Sequence, residues 1–341
     1  MVKVAVDAMG GDNAPAEIVR GAVDALILEK ELFIYLVGRT ADIKAELDAC
    51  RNEKNRAGFD ESRIEIVEAP EVIETGDKPV FAVRHKPDSS MIRALTLVKE
   101  KKADAFVSSG STGAVLVGGQ LIVGKLKGVQ RTPLAPVIPT LDGAALLVDC
   151  GANVDAKPEN LIQYAHMGTV YMKYIMGVKD PRVGILNIGV EEEKGNALVK
   201  ETYPLLREEK GINFVGSVEA ADLVAGKADV IVTDAFAGNV ALKMYEATGK
   251  ALLGLMKEGF KANLASKLGA ALAIGPLKKK LKKFDASRYG GAPMLGLNGL
   301  VVKSHGSAKA VEIKNTMLQC IEFSRQDIPG KIQAALGKEK A

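Results

Sequence analysis

The stretch AFVSSGSTGAVLVGG (105–119) contains the unit that decides the fold, a strand followed by a turn and a helix. AFV (105–107) is short, apolar and β-prone, and the apolar run after Gly113 predicts a helix. Between them, SSGSTG (108–113) places hydroxyl groups and glycines where backbone N–H groups at a helix N-terminus are exposed. Such a turn is suited to an anion. A cap needs only one serine, so the additional hydroxyls favour anion binding over simple capping.

The same rhythm of strand, turn and helix continues along the chain of 341 residues. Strands are predicted at 2–8, 32–38, 63–69, 104–110, 134–140, 143–151, 182–189, 212–219, 229–235 and 299–306. Helices are predicted at 14–29 (with Asn13 as N-cap), 158–176, 196–209 and 240–258, and a long loop with a short helical turn at 70–90. Because the strands are apolar throughout rather than alternating, they predict a doubly wound, mostly parallel sheet in an α/β fold. We expect residues 1–341 to form one α/β unit of two lobes that share a cleft.

Composition is that of an ordinary globular protein, with 47% apolar and 26% charged residues. Cys50, Cys150 and Cys320 are odd in number and far apart, which argues against a disulfide framework and favours a reducing compartment. Cys150 has no histidine nearby, so we expect a buried, inert thiol. The start of the sequence lacks signal-peptide features and no apolar run has the length of a membrane span. A cytoplasmic location is therefore expected.

The positive charge is concentrated in residues 250–288, which hold ten Lys or Arg against Glu258 and Asp285, whereas the rest of the chain has a net charge of −4. Leucines and other apolar residues recur there at helical spacing from Leu253 to Leu272, and Gly275-Pro276 is predicted to end that helix. Two interpretations have similar weight. The segment is either a core helix with a solvated basic helix, or a protruding amphipathic basic helical arm that meets another subunit, a membrane surface or an acidic protein.

Six polar, glycine-rich loops follow predicted strands, at the carboxyl ends where ligands bind in open α/β sheets. They are DAMGGDNAP (7–15), SSGSTGA (108–114), VDCGANVD (148–155), NIGVEEEKGN (187–196), VTDAFAGNV (232–240) and KSHGSA (303–308). Lys194 lies at a predicted helix N-terminus, against the helix dipole, which an anion nearby would explain. His305 lies in a glycine- and serine-rich turn and is a candidate functional residue. His85 and His166 are interpreted as structural.

Several common kinds of site are missing from the sequence. It has no G-x-G-x-x-G fingerprint, no Walker A lysine, no G-x-S-x-G elbow and no metal-ligand spacing. We therefore predict no cofactor and no metal. Nucleic acid is also not expected, since the lysine run has no recognition motif and aromatic residues make up only 5% of the chain.

Taken in order, these six loops resemble those of the PlsX family of phosphate acyltransferases over about residues 1 to 325. The resemblance implies a fold similar to isocitrate/isopropylmalate dehydrogenases and phosphotransacetylases, and a homodimer. It implies transfer of a fatty acyl group from acyl-[acyl carrier protein] to inorganic phosphate. The acyl phosphate would then supply a membrane glycerol-3-phosphate acyltransferase of the PlsY type, at the start of phospholipid synthesis.

The loops suit that chemistry because phosphate is itself the nucleophile and a thiol leaves readily, so positioning and electrostatics are what remain to be supplied. We expect Ser109, Ser111, Thr112 and Gly113 to bind phosphate, with Asn153 as a hydrogen-bonding partner. The candidate catalytic residues follow. Lys194 would supply positive charge, Asp234 would orient or deprotonate phosphate with Asn239 as its partner, and His305 would donate to the oxyanion or thiolate.

Three functions for the 250–288 arm follow from the resemblance. Its lysines could attract the acidic carrier protein, its apolar residues could enter a membrane interface, or the arm could be buried in the dimer. We expect dimer packing near its base and membrane contact at a turn around Ala273–Pro276, giving peripheral attachment to the membrane.

Other functions remain open from the sequence. The closest alternative is a phosphotransacetylase that uses acyl-coenzyme A. A nicotinamide-dependent hydroxyacid dehydrogenase is less favoured because no dinucleotide site is evident, and a membrane-surface scaffold would leave the six loops unexplained.

Overall fold

The computed structural model of the protein describes residues 1–337; residues 338–341, predicted as part of the α/β unit, lie outside the described residues. The strands are β1 Val2–Asp7, β2 Leu32–Gly38, β3 Ile64–Glu68, β4 Ala105–Ser108, β5 Val137–Pro139, β6 Ala144–Val148, β7 Arg182–Leu186, β8 Asn213–Val218, β9 Val230–Val232, β10 Ala292–Met294 and β11 Leu300–Lys303. The helices are α1 Ala16–Leu28, α2 Thr40–Asn52, α3 Pro79–His85, α4 Ser90–Lys99, α5 Thr112–Gly118, α6 Pro158–Tyr174, α7 Ala197–Glu208, α8 Asp222–Ala225, α9 Ala235–Lys261, α10 Leu264–Leu281, α11 Ala310–Arg325 and α12 Ile328–Gly337.

The chain divides into two compact units. The first unit comprises Met1–Pro136, His166–Lys179 and the described residues from Ser287 onward. The second comprises Val137–Ala165 and Asp180–Ala286. Each unit contains its own sheet, so the strands that the sequence predicts as one sheet are divided between two.

The sheet of the first unit has the strand order β10-β11-β4-β1-β2-β3. Its strands are parallel except β10, which pairs antiparallel with β11 at one edge. Val4, Ala5 and Val6 of β1 are all fully buried, which explains their unbroken apolar sequence. On one side α1 packs closely on α11, where a Cβ on Gly21 would come within 2.6 Å of the Ile313 Cβ.

The sheet of the second unit has the strand order β5-β6-β9-β7-β8, with β5 antiparallel at its edge. Its core joins side chains from several strands, including Ile138, Leu147, Val218 and Ile231. The two sheets confirm the predicted α/β class with mostly parallel strands.

Two predicted details of the first unit are wrong. Asn13 does not cap α1, because its amide instead donates to the carbonyls of Ser307 and Ala308 and Pro15 precedes the helix. The sequence also missed β10, a three-residue edge strand with a proline at its centre, which gives little β signal.

The segment 250–288 forms most of a helical hairpin made of α9 and α10. The predicted helix end at Gly275-Pro276 is wrong, because α10 continues through Pro276 to Leu281. The chain turns instead at Ala262–Asn263, where the Asn263 side chain accepts a hydrogen bond from Ser266 N at 2.8 Å and caps α10. The break between α9 and α10 is therefore set by the N-cap residue Asn263 and not by Gly275-Pro276.

The hairpin carries exposed apolar side chains. Leu264 is 77% exposed, Leu268 66% and Leu272 85%, so the interpretation as a core helix is wrong. An apolar groove of about 420 Å³ runs between the two helices, lined by residues such as Met256, Phe260 and Ile274. Within residues 1–337, no helix has both the length and the apolar character that are required to cross a bilayer.

Candidate active site

Three of the predicted loops meet in the first unit, because β11, β4 and β1 are neighbours in its sheet and end at the same edge. Ser304 N donates to Ser108 O at 2.9 Å, and Asp12 N donates to Gly306 O at 2.8 Å. Gly11 has a φ of +105°, and a Cβ there would come within 2.7 Å of the Ser109 Cβ. The loops at 7–15, 108–113 and 303–309 therefore form one contiguous group, the first loop group.

A buried carboxylate supports the first loop group. Asp7, at the end of β1, is 1% exposed and accepts hydrogen bonds from Ser90 Oγ at 2.6 Å and Ser108 Oγ at 2.7 Å. Burial raises the pKa of Asp7, and these hydrogen bonds counteract that rise. A Cβ on Gly10 would come within 2.4 Å of Asp7 Oδ2, so only glycine fits beside this carboxylate.

The SSGSTG turn (108–113), which we call the serine loop, contains a buried hydroxyl without a partner. Ser109 is 2% exposed, and its Oγ makes no hydrogen bond among the described residues. Ser111 has the ordinary task of capping α5, through a 3.5 Å hydrogen bond from Ala114 N. Thr112 is exposed at the start of the helix, where the first N–H groups have no intrahelical acceptor.

Gly113 has a packing role that the sequence did not reveal. A Cβ at this position would come within 2.6 Å of Pro79 Cγ at the start of α3. The glycine therefore lets α3 approach the serine loop closely.

His305 is exposed in the third loop of the group. Its Nδ1 accepts a hydrogen bond from Ser307 N at 3.2 Å and lies 2.9 Å from Ser307 Oγ. The neutral ring therefore carries its proton on Nε2, where it can be donated to a ligand.

The other three predicted loops meet in the second unit, at the carboxyl ends of β6, β9 and β7, which are also neighbours. Asp149 follows β6 and is fully buried. Its carboxylate accepts hydrogen bonds from the backbone N–H groups of Gly151, Ala152 and Asn153 and from Asn153 Nδ2, the last at 2.8 Å. The predicted phosphate ligand Asn153 thus holds Asp149 and is largely buried.

Asp234 caps the N-terminus of α9. Its Oδ1 accepts a hydrogen bond from Ala237 N at 2.8 Å, so the helix begins at Ala235 rather than at 240 as predicted. Gly238 lies against the loop after β6, where a Cβ would come within 1.9 Å of Asp149 O. Asn239 is half-buried, one residue further along α9. We call the loops at 149–155, 187–196 and 233–239 the second loop group.

Lys194 is exposed and forms no ion pair with an acidic side chain of the described residues. Its backbone is fixed, because Asn187 Nδ2 donates to Lys194 O at 3.3 Å and to Ser217 Oγ at 3.0 Å. Gly195 follows with a φ of +104°, and Asn196 caps α7. The loop thus presents, on an anchored backbone, an ammonium group that no acidic side chain in the described part of the chain pairs with.

The structure places the nine predicted residues in two groups. Ser109, Ser111, Thr112, Gly113 and His305 belong to the first loop group, whereas Asn153, Lys194, Asp234 and Asn239 belong to the second. Sequence reasoning missed the role of Ser90 beneath Asp7, because a serine at a helix start predicts only a cap. It also gave no role to Lys303, the last residue of β11.

All three cysteines of the chain are buried. Cys150 is buried, as predicted, and burial raises the pKa of its thiol well above the usual value. Within residues 1–337, no group of three or more His, Cys, Asp or Glu side chains is placed to hold a metal ion.

Comparison with known proteins identifies the family. Residues 2–331 match the family model described as "Fatty acid synthesis protein". The phosphate acyltransferase of Clostridium botulinum is 46% identical over 339 residues, covering 99% of this chain and 100% of the relative. The chain belongs to the PlsX family of phosphate acyltransferases. Another family member, from Halothermothrix orenii, is 42% identical over 339 residues, with 99% of each chain covered.

Solved structures support the fold of this PlsX-family chain. The EutD phosphotransacetylase of Staphylococcus aureus has a TM-score of 0.58 and 18% identity, covering 95% of this chain and 94% of the other. A branched-chain phosphotransacylase of Enterococcus faecalis has a TM-score of 0.57 and 16% identity, covering 96% and 100%. The phosphotransacetylase-like fold is thus confirmed.

Proposed function

We propose that the protein transfers a fatty acyl group from acyl-[acyl carrier protein] to inorganic phosphate, and that the acyl phosphate serves phospholipid synthesis. The reaction breaks the thioester C–S bond and forms a C–O bond to phosphate, releasing the carrier thiol. Membership of the phosphate acyltransferase family supports the reaction type.

The observation that carries the proposal is the Ser109 hydroxyl. A buried hydroxyl without a hydrogen-bond partner is costly, and such groups are rare in folded proteins. An oxyanion ligand would accept a hydrogen bond from this hydroxyl. The first N–H groups of α5, which have no intrahelical acceptor, and the adjacent hydroxyls of Ser111 and Thr112 would add further donors for phosphate.

The test is a hydroxylamine trap for acyl phosphate. The purified protein is incubated with palmitoyl-[acyl carrier protein] and phosphate, without nucleotide or added metal. We expect hydroxamate and free carrier thiol in equal amounts, both dependent on phosphate. Hydroxamate only with palmitoyl-coenzyme A would indicate a phosphotransacetylase instead, and no product with either donor would refute acyl transfer.

The second loop group would contribute charge and hydrogen bonds to the same reaction. Lys194 offers an unpaired ammonium that can stabilise negative charge on phosphate or on the tetrahedral intermediate. Asp234 would orient or deprotonate the attacking phosphate, with Asn239 and Asn153 as hydrogen-bonding partners, while His305 would donate from Nε2 to the oxyanion or thiolate.

Lys194→Ala separates this role from a structural one. Since Lys194 is exposed and has no ion-pair partner among residues 1–337, the variant should fold with an unchanged melting temperature. It should lose activity by about a hundredfold, which corresponds to one lost transition-state contact. Lys200→Ala, at an exposed site on α7, is the matched control. Near-normal turnover of the Lys194 variant would remove Lys194 from the mechanism.

The hairpin of α9 and α10 would serve the acyl donor and the product. Its basic residues can attract an acidic carrier protein, and its exposed leucines can contact a second copy or a bilayer surface. The turn lies at Ala262–Asn263, so the predicted contact site at Ala273–Pro276 is moved to the residues beside that turn. Leu264 and Leu268 are placed there, whereas Leu253 lies further towards the base.

Two variants distinguish these contacts. Leu264→Glu with Leu268→Glu should abolish flotation with anionic vesicles and leave a homodimer intact. Leu253→Glu should instead shift the sedimenting species from dimer towards monomer. Leu205→Glu, an exposed leucine on α7, is the control for both experiments. Flotation that survives the double change would refute direct membrane contact. A cytoplasmic protein bound peripherally in this way would release acyl phosphate where a PlsY-type membrane acyltransferase uses it.

A further inference from the structure

Lys303 is a buried lysine beside the serine loop. It is the last residue of β11, lies opposite Ser108 in the ladder with β4 and is only 8% exposed. Buried lysines are rare unless the ammonium is paired or hydrogen-bonded, because removing this charge from water is costly.

Its contacts join two loops of the first loop group. Lys303 Nζ donates to Ser109 O at 3.3 Å and also to Ser304 O. Ser109 is the residue whose hydroxyl lacks a partner, so the lysine holds the backbone of the residue that the proposed function assigns to phosphate. An ammonium has three N–H donors, and these two carbonyls use two of them.

The surrounding charges favour keeping Lys303 protonated at neutral pH. Asp7 lies on β1, on the other side of β4, and Asp12 lies in the loop after β1; His305, two residues after Lys303, is exposed. Burial lowers the pKa of Lys303 to about 8, and attraction to Asp7 and Asp12 limits the decrease. The Lys303 side chain therefore changes between its charged and neutral forms near pH 8, where binding can be measured on the folded enzyme.

We propose that Lys303 is a positioning residue for phosphate: its ammonium fixes Ser109 in the serine loop and supplies the buried positive charge that strengthens phosphate binding there. This inference rests on the proposed function for the identity of the anion.

A pH dependence follows from this role. Above pH 8 the lysine loses its charge, while the neutral amine keeps two N–H groups for the two carbonyls. Phosphate binding should therefore weaken as pH rises although the loop stays in place. Bound phosphate should in turn raise the pKa of Lys303, because binding and protonation are linked.

The experiment measures phosphate affinity directly by calorimetry, with inorganic phosphate and no acyl donor, at pH 7.0 and pH 9.5. Lys303→Met should weaken binding about tenfold or more at pH 7.0, as expected for a lost buried charge. The ratio of variant to wild-type Kd should shrink severalfold at pH 9.5, because the wild type then lacks the same charge. Comparing ratios removes the ionisation of phosphate itself. Lys102→Met, at an exposed lysine paired with Glu100, is the matched control.

Either of two results with Lys303→Met would overturn the inference. Equal affinities of wild type and Lys303→Met at pH 7.0 would show that the lysine has no part in binding. A ratio that stays the same at both pH values would show a structural role only. Should Lys303→Met fail to fold, Asp12→Asn provides the test, since loss of this exposed carboxylate should move the alkaline loss of affinity to lower pH. If the wild type binds phosphate but its advantage over the variant in Kd is the same at pH 7.0 and pH 9.5, this inference alone is refuted. If the wild type binds no phosphate, the proposed function is refuted.

Discussion

At the residue scale, two adjacent serines have opposite roles. Ser109 Oγ is buried and has no partner within residues 1–337, whereas Ser108 Oγ donates to Asp7 and accepts from Gly110 N. Ser109→Ala should leave the free energy of unfolding unchanged or raise it by about 1 kcal/mol, and should raise the KM for phosphate. Ser108→Ala should lose about 1–3 kcal/mol because it leaves the buried Asp7 and an N–H group unsatisfied. Denaturant unfolding and phosphate kinetics measure both effects; a destabilised Ser109→Ala would show that its hydroxyl has a structural partner.

The buried lysine also predicts how stability changes with pH. The pKa of Lys303 is about 8 in the folded chain and 10.5 when exposed, so between these values the unfolded chain binds more protons. The free energy of unfolding should therefore rise from pH 8 to pH 10.5, by at most roughly 3 kcal/mol from this group. Lys303→Met should lack this contribution in urea titrations across the same range. Identical slopes for the two proteins would contradict the buried, low-pKa lysine.

Single residues were the hardest feature to predict. The sequence identified SSGSTG as an anion loop, but which hydroxyl lacks a partner depends on Asp7 and Ser90, brought together from positions 83 residues apart. It likewise identified Asp234 and Asn153 without revealing that one caps a helix and the other holds Asp149. Contacts between distant loops decide such roles, and local patterns do not encode them.

At the element scale, α9 links a candidate catalytic group to helix capping. Asp234→Asn preserves an N-cap side chain and removes the charge, whereas Asp234→Ala removes both. We expect both variants to lose activity about a hundredfold or more, and only the alanine variant to lose about 1 kcal/mol of stability. Asn196→Ala at the cap of α7 should lose a similar amount of stability, which calibrates the contribution of an N-cap in this protein. Full activity of Asp234→Asn would mean that the residue is only a cap.

Strands were easier to predict than helix ends. Each of the ten predicted strands contains a strand of the structure, and burial on both faces explains continuous apolar runs such as LFIYLVG in β2. The missing strand is β10, whose proline and short length hide it. The prediction of the turn in the hairpin was wrong for a different reason. The Gly275-Pro276 pair is a stronger helix-end signal in sequence than the capping residue Asn263, where the turn lies.

At the scale of the whole molecule, the uneven charge predicts salt-dependent membrane binding. Residues 250–288 carry a net charge of +8, while the rest of the chain carries −4. Association with anionic vesicles should therefore weaken as ionic strength rises, and should be weak on purely zwitterionic vesicles. Sedimentation with vesicles across a salt series measures this. Equal binding to anionic and zwitterionic vesicles would contradict this and would attribute membrane binding to the apolar side chains alone.

The order of the chain has a consequence for biosynthesis. Lys303 and Ser109 touch although 194 residues separate them, because β11 pairs with β4 in the middle of the first sheet. At about 5–20 residues per second, a nascent chain must wait on the order of ten seconds or more after making β4 before its partner emerges. During that interval β4 presents an unpaired edge, the kind of surface that aggregates. If translation ended within the second unit, the released chain would still have the edge of β4 unpaired.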